Sequence, residues 1–339
     1  MTVVVTGGAG LVGGHVIAAL VARGERVRAL VRAPGKRAVE RLGAEAIVGD
    51  VTDPAAWRSA CAAPGGVRGV IHAAALVARR SPYAEYLHVN VGGTEHAAAA
   101  ARAAGARLVH LSSVAVYGRR RPYTHAAGAL DETYPFQPLD TNDYYARSKR
   151  LAETRLWEET SRGGLWAVAL RPNVIYGEFD RQFSPRVVRL VRAGIVPQIG
   201  PGTNRLSVVY AGNVAAAALA ALDASVPGGT AYNVTNDGAL TQREFADAFA
   251  AALGVRLRRI RLPRATTAAA VRAFTILRGL TRPGRYVGVA AGSVSFLSGE
   301  NPYRSDRARD ELGWRPPTEP HAAIARTVRW CLQMETPGR

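Results

Sequence analysis

The stretch VTGGAGLVGGHV, residues 5–16, follows an apolar β-branched run and precedes an alanine-rich segment of helix length. Its glycines permit a tight turn and let the backbone approach a pyrophosphate, which the free N–H groups at the helix start would bind. A glycine string alone is a weak signal, but a strand before it and a helix after it make it strong. The sequence therefore predicts a dinucleotide-binding turn formed by Gly7, Gly10, Leu11, Val12 and Gly13.

Downstream of this turn, short β-branched runs alternate with segments of helix length. The predicted strands are Thr2–Val5, Val27–Val31, Ala46–Val48, Gly69–His72, Leu108–Leu111 and Trp166–Leu170. The predicted helices are 11–22, 54–62, 84–104 and 143–160. Such alternation is typical of βαβ units, whose parallel sheet is covered by helices on both faces. The predicted fold is α/β, a Rossmann-type doubly wound parallel sheet.

The pattern changes after Arg171, where proline and glycine become frequent. We expect a cofactor-binding domain at 1–171, with a segment near 206–236 that returns to its sheet. Residues 172–205 and 237–339 are then predicted to form a smaller, mixed α/β substrate-binding domain. Within it, Thr241 and Glu244 have the spacing of a capping box, which predicts a helix over 241–253.

The net charge of +18 at first suggests a nucleic-acid-binding protein. However, the chain holds two lysines, Lys36 and Lys149, against 42 arginines, and these arginines are spread along its whole length. The densest clusters, Arg119 to Arg121 and residues 256–264, lack the interleaved aromatics of a nucleic-acid site. We therefore expect no nucleic-acid partner and read the charge as a solvated basic surface.

Other residue types bound the compartment and the chemistry. Two distant cysteines, Cys61 and Cys331, indicate a cytoplasmic protein without disulfides. The sequence contains no run of about 18 apolar residues, so we expect no membrane-spanning helix. The seven histidines show no metal-ligand spacing, so no metal is expected. Residues 255–285 mix arginines with apolar residues; a plain surface helix is favoured there over one that contacts a membrane or covers a substrate pocket.

The residue that reads the cofactor ribose is expected about 20 positions after the glycine turn, at the end of the second strand. Arg32 occupies that place, and no acid occurs before Glu40. A guanidinium binds a 2′-phosphate well, whereas an acid would repel it, so NADP(H) is predicted over NAD(H), with Lys36 assisting. The alternative is that Arg32 merely belongs to the arginine excess. Asp50 and Val51, after the third strand, are placed to meet the adenine.

Tyr145 and Lys149 lie four residues apart in a predicted helix and so share one face. A cation near a phenol lowers its pKa, which would make Tyr145 a usable acid–base group. The scarcity of lysine elsewhere makes Lys149 look functional. Ser113, with Ser112 in support, follows the fifth strand, where α/β sheets bind ligands, and its hydroxyl could orient a carbonyl or alkoxide.

These features together resemble the extended short-chain dehydrogenase/reductase family, also called the NAD-dependent epimerase/dehydratase family. The matching pieces are TGGAGLVG, GDVTD, HAAAL, NVGGT, SSVAVYG, YYARSK, LRPNVIYG and ELGWRP. The resemblance implies that Tyr145 is the general acid–base, Lys149 its tuner and ribose ligand, and Ser113 the substrate orienter. It also implies cofactor contacts from the residues Ala73, Ala74, Asn90, Pro172, Asn173 and Val174. Tyr144 is expected to pack or to line the substrate site, and a homodimer through the helices 84–104 and 143–160 is a family expectation.

The second half bears on the substrate. Sugar-nucleotide enzymes of the family usually show an arginine at the place of Arg205 and an aspartate pair where this chain has Gly212 and Asn213. This variant resembles the 3β-hydroxysteroid dehydrogenase-like and dihydroflavonol-reductase-like branches. The leading hypothesis is an NADP(H)-dependent reductase or dehydrogenase that interconverts a ketone and a secondary alcohol on a small, fairly apolar substrate. A sugar-nucleotide epimerase or dehydratase with recycled cofactor, and a non-catalytic NADP sensor, are the alternatives.

Overall fold

Seven parallel strands form the central sheet of the computed structural model, which describes residues 1–77, 81–118, 126, 128–235, 240–267, 269–270 and 296–335. The strand order is β10-β6-β5-β4-β1-β2-β3. The strands are β1 Thr2–Thr6, β2 Arg26–Val31, β3 Glu45–Val48, β4 Val67–His72, β5 Arg107–Leu111, β6 Ala167–Pro172 and β10 Thr230–Val234. The chain leaves β1 towards β3 on one side and crosses to β4 on the other, which places a crevice at the carboxyl end of the sheet.

Helices cover both faces of the sheet because its strands are apolar on both sides. On one face α1 packs on α8 over a core that includes Val3, Ile17 and Leu219; on the other, α3, α5 and α6 cover Val4, Val70 and Leu108. The helices are α1 Leu11–Ala22, α2 Lys36–Arg41, α3 Pro54–Cys61, α4 Tyr83–Tyr86, α5 Gly93–Ala103, α6 Tyr144–Ser161, α7 Phe183–Arg192, α8 Ala211–Asp223, α9 Gln242–Leu253, α10 Asp306–Leu312 and α11 Pro320–Glu335.

The helix predicted at 84–104 is continuous but not uniform. Helices α4 and α5 are joined by a π-helical segment, Leu87–Gly92, in which Asn90 and Val91 are buried. A π-helix is rare and is frequently found at functional sites. The segment packs on α6, which carries Tyr145 and Lys149.

The remaining elements form a separate apolar core. Two small parallel sheets, one of β8 (Ile195–Ile199) with β11 (Arg258–Leu262) and one of β7 (Val174–Tyr176) with β9 (Val208–Tyr210), accompany α7, α9 and α11. The predicted capping box is confirmed: Thr241 accepts from the Glu244 N–H at 3.2 Å, and the Glu244 carboxylate accepts from the Thr241 N–H at 2.8 Å.

The predicted fold class is confirmed, and every predicted strand of the first half is present with ends that differ by one or two residues. The strand near residue 232 lies at the edge of the main sheet, beside β6. The division into two domains stays a prediction. The arginine cluster at 119–121 and residues 271–285 of the basic stretch lie outside the described residues, and residues 258–262 of that stretch form strand β11 instead of the predicted surface helix. Among the described helices, none has the length and apolar character needed to cross a membrane.

Candidate active site

Many of the predicted site residues follow the carboxyl ends of the central strands, whereas Tyr144, Tyr145 and Lys149 lie on helix α6, Asn90 in the π-helical segment and Arg205 in the loop before β9. Because the strands are parallel, these ends lie along one edge of the sheet. The edge carries, in spatial order, Asp50 after β3, Arg32 after β2, Gly7 after β1, Ala73 after β4, Ser113 after β5 and Asn173 after β6. This carboxyl edge of the sheet, from Asp50 to Asn173, is the groove of the candidate site, and it brings together motifs that are far apart in the sequence.

The glycine turn after β1 needs its glycines for steric reasons. Gly7 has φ +71°, and a Cβ there would lie 2.8 Å from the backbone of Ala73 and Ala74. A Cβ on Gly13 would overlap the carbonyl of Gly7, which already accepts from the Gly10 N–H at 2.9 Å. Helix α1 begins at Leu11 without a side-chain cap, so its first N–H groups remain available to an anion.

The ends of β2 and β3 carry the residues predicted to bind the adenosine half. Arg32 is exposed, and Gly35, one turn on, packs against Ala9 of the glycine turn, so Arg32 lies beside that turn. Lys36 is also exposed and lies 3.9 Å from Glu40. Asp50 is half-buried and accepts from the backbone N–H and the hydroxyl of Thr52, at 3.0 and 2.9 Å. These contacts fix the Asp50 carboxylate at the groove edge.

Ser113 and Tyr145 meet at the end of β5. Both are half-buried, and the Ser113 hydroxyl is close enough to the Tyr145 phenol to lower its pKa against the effect of burial. The Ser113 hydroxyl also accepts from the Ala115 N–H at 3.2 Å. Burial raises the pKa of Tyr145 to about 12, opposed by the Ser113 hydroxyl and reinforced by the negative charge of Asp143. At neutral pH the phenol is therefore protonated, and it can donate a proton.

Lys149, one helical turn after Tyr145 in α6, is 1% exposed. Its amine donates to the carbonyl of Leu111 at 2.5 Å and lies 3.4 Å from Nε2 of His110. Burial lowers the pKa of Lys149 to about 8, and the nearby Glu153 carboxylate partly opposes this. The ammonium therefore persists at neutral pH, but its pKa lies closer to neutral pH than that of an exposed lysine.

The electrostatic tuning predicted from the Tyr145–Lys149 spacing was wrong for this structure. The groups that act on the pKa of Tyr145 are Ser113, Asp143 and Tyr86, and the result is a raised pKa, not a lowered one. The physical reason is that burial of the phenol dominates, while the ammonium is directed at the backbone of β5.

Asn90 connects three segments around the site. Its Oδ1 accepts from the Leu76 N–H at 2.7 Å, and its Nδ2 donates to Leu76 O and to the Ser148 hydroxyl, at 3.2 and 2.9 Å. Ser148 in turn donates to the carbonyl of Tyr145 at 2.9 Å. With 1% exposure, Asn90 ties the loop after β4 to the helix that bears Tyr145. Its contacts are those of a positioning residue.

The residues predicted to contact substrate lie in different surroundings. Ser112 is 4% exposed, which leaves it beneath the groove surface. Tyr144 is half-buried and packs against the ring of Tyr83 at 5.2 Å between centroids. Arg205 is exposed, and its carbonyl accepts from Asn301 at 2.9 Å. Asn173 is buried, donates to the Thr235 hydroxyl at 2.6 Å, and its Oδ1 has no partner among the described residues.

Asn213, which stands where the sugar-nucleotide enzymes carry an aspartate, has a structural role. Asn213 is fully buried. Its side-chain amide donates to the Thr318 carbonyl and accepts from the Thr318 N–H, both at 3.0 Å, and its main-chain carbonyl accepts from the indole N–H of Trp314. The side chain therefore fastens the segment before α11 to α8.

Two buried histidines lie on the strands beneath the site, and the sequence did not predict that they pair. His72 and His110 are paired residues of neighbouring strands β4 and β5, with ring centroids 5.6 Å apart and both 1% exposed. His72 Nδ1 lies 2.8 Å from the hydroxyl of Thr6, which accepts from the Ala74 N–H at 3.1 Å. A signal was present: both strands carry a histidine just before the motif that follows them, in VIHAAA and VHLSS.

The geometry of this groove agrees with the comparison to known protein families. The model of the NAD dependent epimerase/dehydratase family matches residues 3–235, more than half of the chain. The chain belongs to this family. As a member of the extended short-chain dehydrogenase/reductase type, it is an NAD(P)-dependent oxidoreductase, which confirms the predicted family and enzyme class.

Three curated relatives are similar to this family member. The 2-alkyl-3-oxoalkanoate reductase of Stenotrophomonas maltophilia is 35% identical, over 75% of this chain and 76% of that protein. A 4-hydroxy-2-methyl-3-oxo-4-farnesyl-3,4-dihydroquinoline-1-oxide ketoreductase of Stigmatella aurantiaca is 32% identical over 93% and 92%. A 3 beta-hydroxysteroid dehydrogenase/Delta 5-->4-isomerase of Mycobacterium tuberculosis is 31% identical over 93% and 86%.

A solved structure of the same fold is the UDP-glucose 4-epimerase of Thermus thermophilus in complex with NAD. It is 25% identical, covers 98% of this chain and 99% of that chain, and superposes with a TM-score of 0.69. The family thus includes both reductases of ketones and an epimerase that binds NAD, and the choice between these activities depends on the site of this chain.

Proposed function

We propose that this protein is an NADP(H)-dependent reductase or dehydrogenase that interconverts a ketone and a secondary alcohol on a small, fairly apolar substrate. The observation that carries the proposal is the half-buried Tyr145 phenol next to the half-buried Ser113 at the carboxyl edge of the sheet. The ketoreductase and hydroxysteroid dehydrogenase relatives support the same reaction class. The epimerase neighbour supports the alternative of a sugar-nucleotide substrate, with Arg205 exposed to receive it.

The glycine turn fits a dinucleotide. Side chains are excluded at Gly7 and Gly13, and the uncapped start of α1 offers N–H groups to a pyrophosphate. Asp50 would meet the adenine, and Arg32 with Lys36 would meet a 2′-phosphate. When bound, the nicotinamide supplies or accepts the hydride.

The chain's own residues would handle the proton. In the reducing direction the neutral Tyr145 phenol donates its proton to the oxygen of the substrate carbonyl, and the Ser113 hydroxyl holds that oxygen. The Lys149 ammonium contributes positive charge and can replace its bond to Leu111 with one to a bound hydroxyl. In the oxidising direction the same phenol must first lose its proton, so its raised pKa favours reduction near neutral pH.

Tyr145→Phe tests the acid–base assignment. We expect a loss of about 10²–10⁴-fold in kcat for ketone reduction, because the general acid is removed while the ring is kept. The measurement is oxidation of the reduced cofactor against a panel of β-keto esters, steroid ketones and UDP-sugars. The matched control is Tyr83→Phe, which removes the hydroxyl of a nearby tyrosine that packs on Tyr144. Equal activity of Tyr145→Phe and wild type would sink the proposal, and turnover of UDP-sugars without net cofactor oxidation would establish the epimerase alternative.

Arg32→Asp tests the choice of cofactor. Loss of a charge-assisted contact to the 2′-phosphate should lower kcat/KM for NADPH by about 10–100-fold, and leave that for NADH unchanged or improved. Arg41→Asp, which changes an exposed arginine at the end of α2, controls for net charge. A wild-type protein that prefers NADH would refute the NADP assignment, and the NAD-bound epimerase shows that the fold accepts that cofactor.

A further inference from the structure

Among the described residues, Lys149 is a buried cation with no carboxylate in contact. The nearest candidate, Glu153, is occupied by the Arg171 guanidinium, which donates to both of its oxygens at 2.6–3.2 Å. In the described part of the chain, Lys149 forms no ion pair, and its two contacts are the neutral Leu111 carbonyl and the His110 ring. A buried charge without paired or hydrogen-bonded partners is costly, so these two acceptors, together with the nearby Glu153 charge, help to keep the amine charged.

His110 has the right chemistry for this contact. An ammonium can only donate, so Nε2 of His110 must be the unprotonated, accepting nitrogen and Nδ1 must carry the proton. Burial, with the charge of Lys149, holds the pKa of His110 well below its ordinary value, so the ring is neutral at neutral pH. Its other neighbour, His72, is also neutral, because burial lowers its pKa to about 3.

We propose that His110 is a positioning residue for the site: its imidazole Nε2 accepts a hydrogen bond from Lys149 and keeps the ammonium charged and in place, one helical turn after Tyr145. The inference deepens the proposed function, on which its catalytic meaning rests. The titratable groups around Lys149 are His110 from β5, His72 from β4 and Glu153 from α6, and the Glu153 carboxylate is bound to Arg171 from β6. Of these, His110 is the side chain that contacts the amine directly.

The scarcity of lysine makes a direct test feasible. With two lysines in the chain, selective labelling with [¹³C,¹⁵N]lysine gives two side-chain Nζ signals, and Lys36→Arg assigns them. Titration of the Lys149 signal then gives its pKa in the free protein. We expect His110→Leu to lower the pKa of Lys149 by about 1, because the amine loses one of two acceptors, and His110→Gln to restore most of the wild-type value with its amide oxygen.

Controls separate this effect from general disturbance. His110→Phe is a second apolar variant in case His110→Leu does not fold, and thermal melts with far-UV circular dichroism select the folded variants. His15→Leu removes another buried histidine, which lies against Glu178 and Tyr210 and not against Lys149, and should leave the Lys149 pKa unchanged. A Lys149 pKa that is the same in His110→Leu or His110→Phe as in wild type overturns the inference.

The titration does not depend on activity. If the pKa moves as expected but no ketone is reduced, the proposed function fails and the contact stands; if ketones are reduced and the pKa does not move, the contact fails alone. Where the contact and the ketone reduction are both confirmed, His110→Leu should lower kcat more than it changes KM. As the pH is raised, its activity should also fall at a lower pH than that of wild type, because the Lys149 amine deprotonates earlier. His110→Gln should recover both kcat and the wild-type pH profile.

Discussion

At the scale of the residue, the question is why position 149 holds a lysine in a chain that otherwise uses arginine. The amine reaches Leu111 O and His110 Nε2 in a space that is 1% exposed. A compact ammonium on a flexible stem fits two acceptors there, whereas a planar guanidinium would need more volume and more partners. The predicted importance of this lysine has a physical basis, although its contacts are not those that the spacing suggested.

Gly13 gives the sharpest prediction at the residue scale. Gly13→Ala places a Cβ on the Gly7 carbonyl, so the turn must open and cofactor affinity should fall by at least about tenfold, with a loss of about 1–3 kcal/mol in unfolding free energy. Cofactor titration by fluorescence and urea unfolding measure the two. Gly92→Ala is the control, since a Cβ there meets no atom within 4 Å. Unchanged cofactor affinity in Gly13→Ala would contradict the steric account.

At the scale of the element, helix α6 orients the site through its first turn. Asp143 caps the helix by accepting from the Ala146 N–H at 3.2 Å, and Tyr145 follows within the same turn. Asn90 in the π-helical segment also contacts α6, because its side chain donates a hydrogen bond to the Ser148 hydroxyl. The phenol is thus held from two sides by elements whose sequences are about 50 residues apart.

Two substitutions at Asp143 distinguish its role as a helix cap from the effect of its negative charge on Tyr145. Asp143→Ala should lower the unfolding free energy by about 1 kcal/mol, because the cap is lost. Asp143→Asn keeps an accepting oxygen and should cost less, yet it removes the negative charge that raises the pKa of Tyr145, so alcohol oxidation should reach its plateau at lower pH. Urea unfolding and pH–rate profiles measure these effects. An unshifted profile for Asp143→Asn would show that its charge does not reach the phenol.

At the scale of the whole molecule, burial of neutral histidines should govern acid stability. His15, His72 and His110 are all buried, and burial lowers the pKa of each. Below about pH 6.5 the unfolded chain binds protons at these rings and the native protein does not. Since the unfolded state then holds more protons, stability is full above pH 6.5 and falls as the pH drops towards the native values.

The expected loss is measurable. For His72, with a pKa of about 3, the loss between pH 6.5 and 5 is about 2 kcal/mol, and the other two add to it. Urea unfolding at several pH values gives the slope, which counts the protons taken up on unfolding. His15→Leu should reduce that slope by up to one proton. A stability that is level from pH 7 to 5 would contradict the neutral, buried state of these rings.

Much of this molecule was determined by the sequence alone. The strand and helix periods, the glycine turn and the place of each motif after a strand end predicted the Rossmann-type sheet and the residues along its carboxyl edge, because these signals are local and steric. Tertiary structure decided the rest: the raised pKa of Tyr145, the acceptors of Lys149, the clamp made by Asn213 and the pairing of His72 with His110. Those depend on which side chains become buried together, and burial is set by contacts between segments that no local pattern encodes.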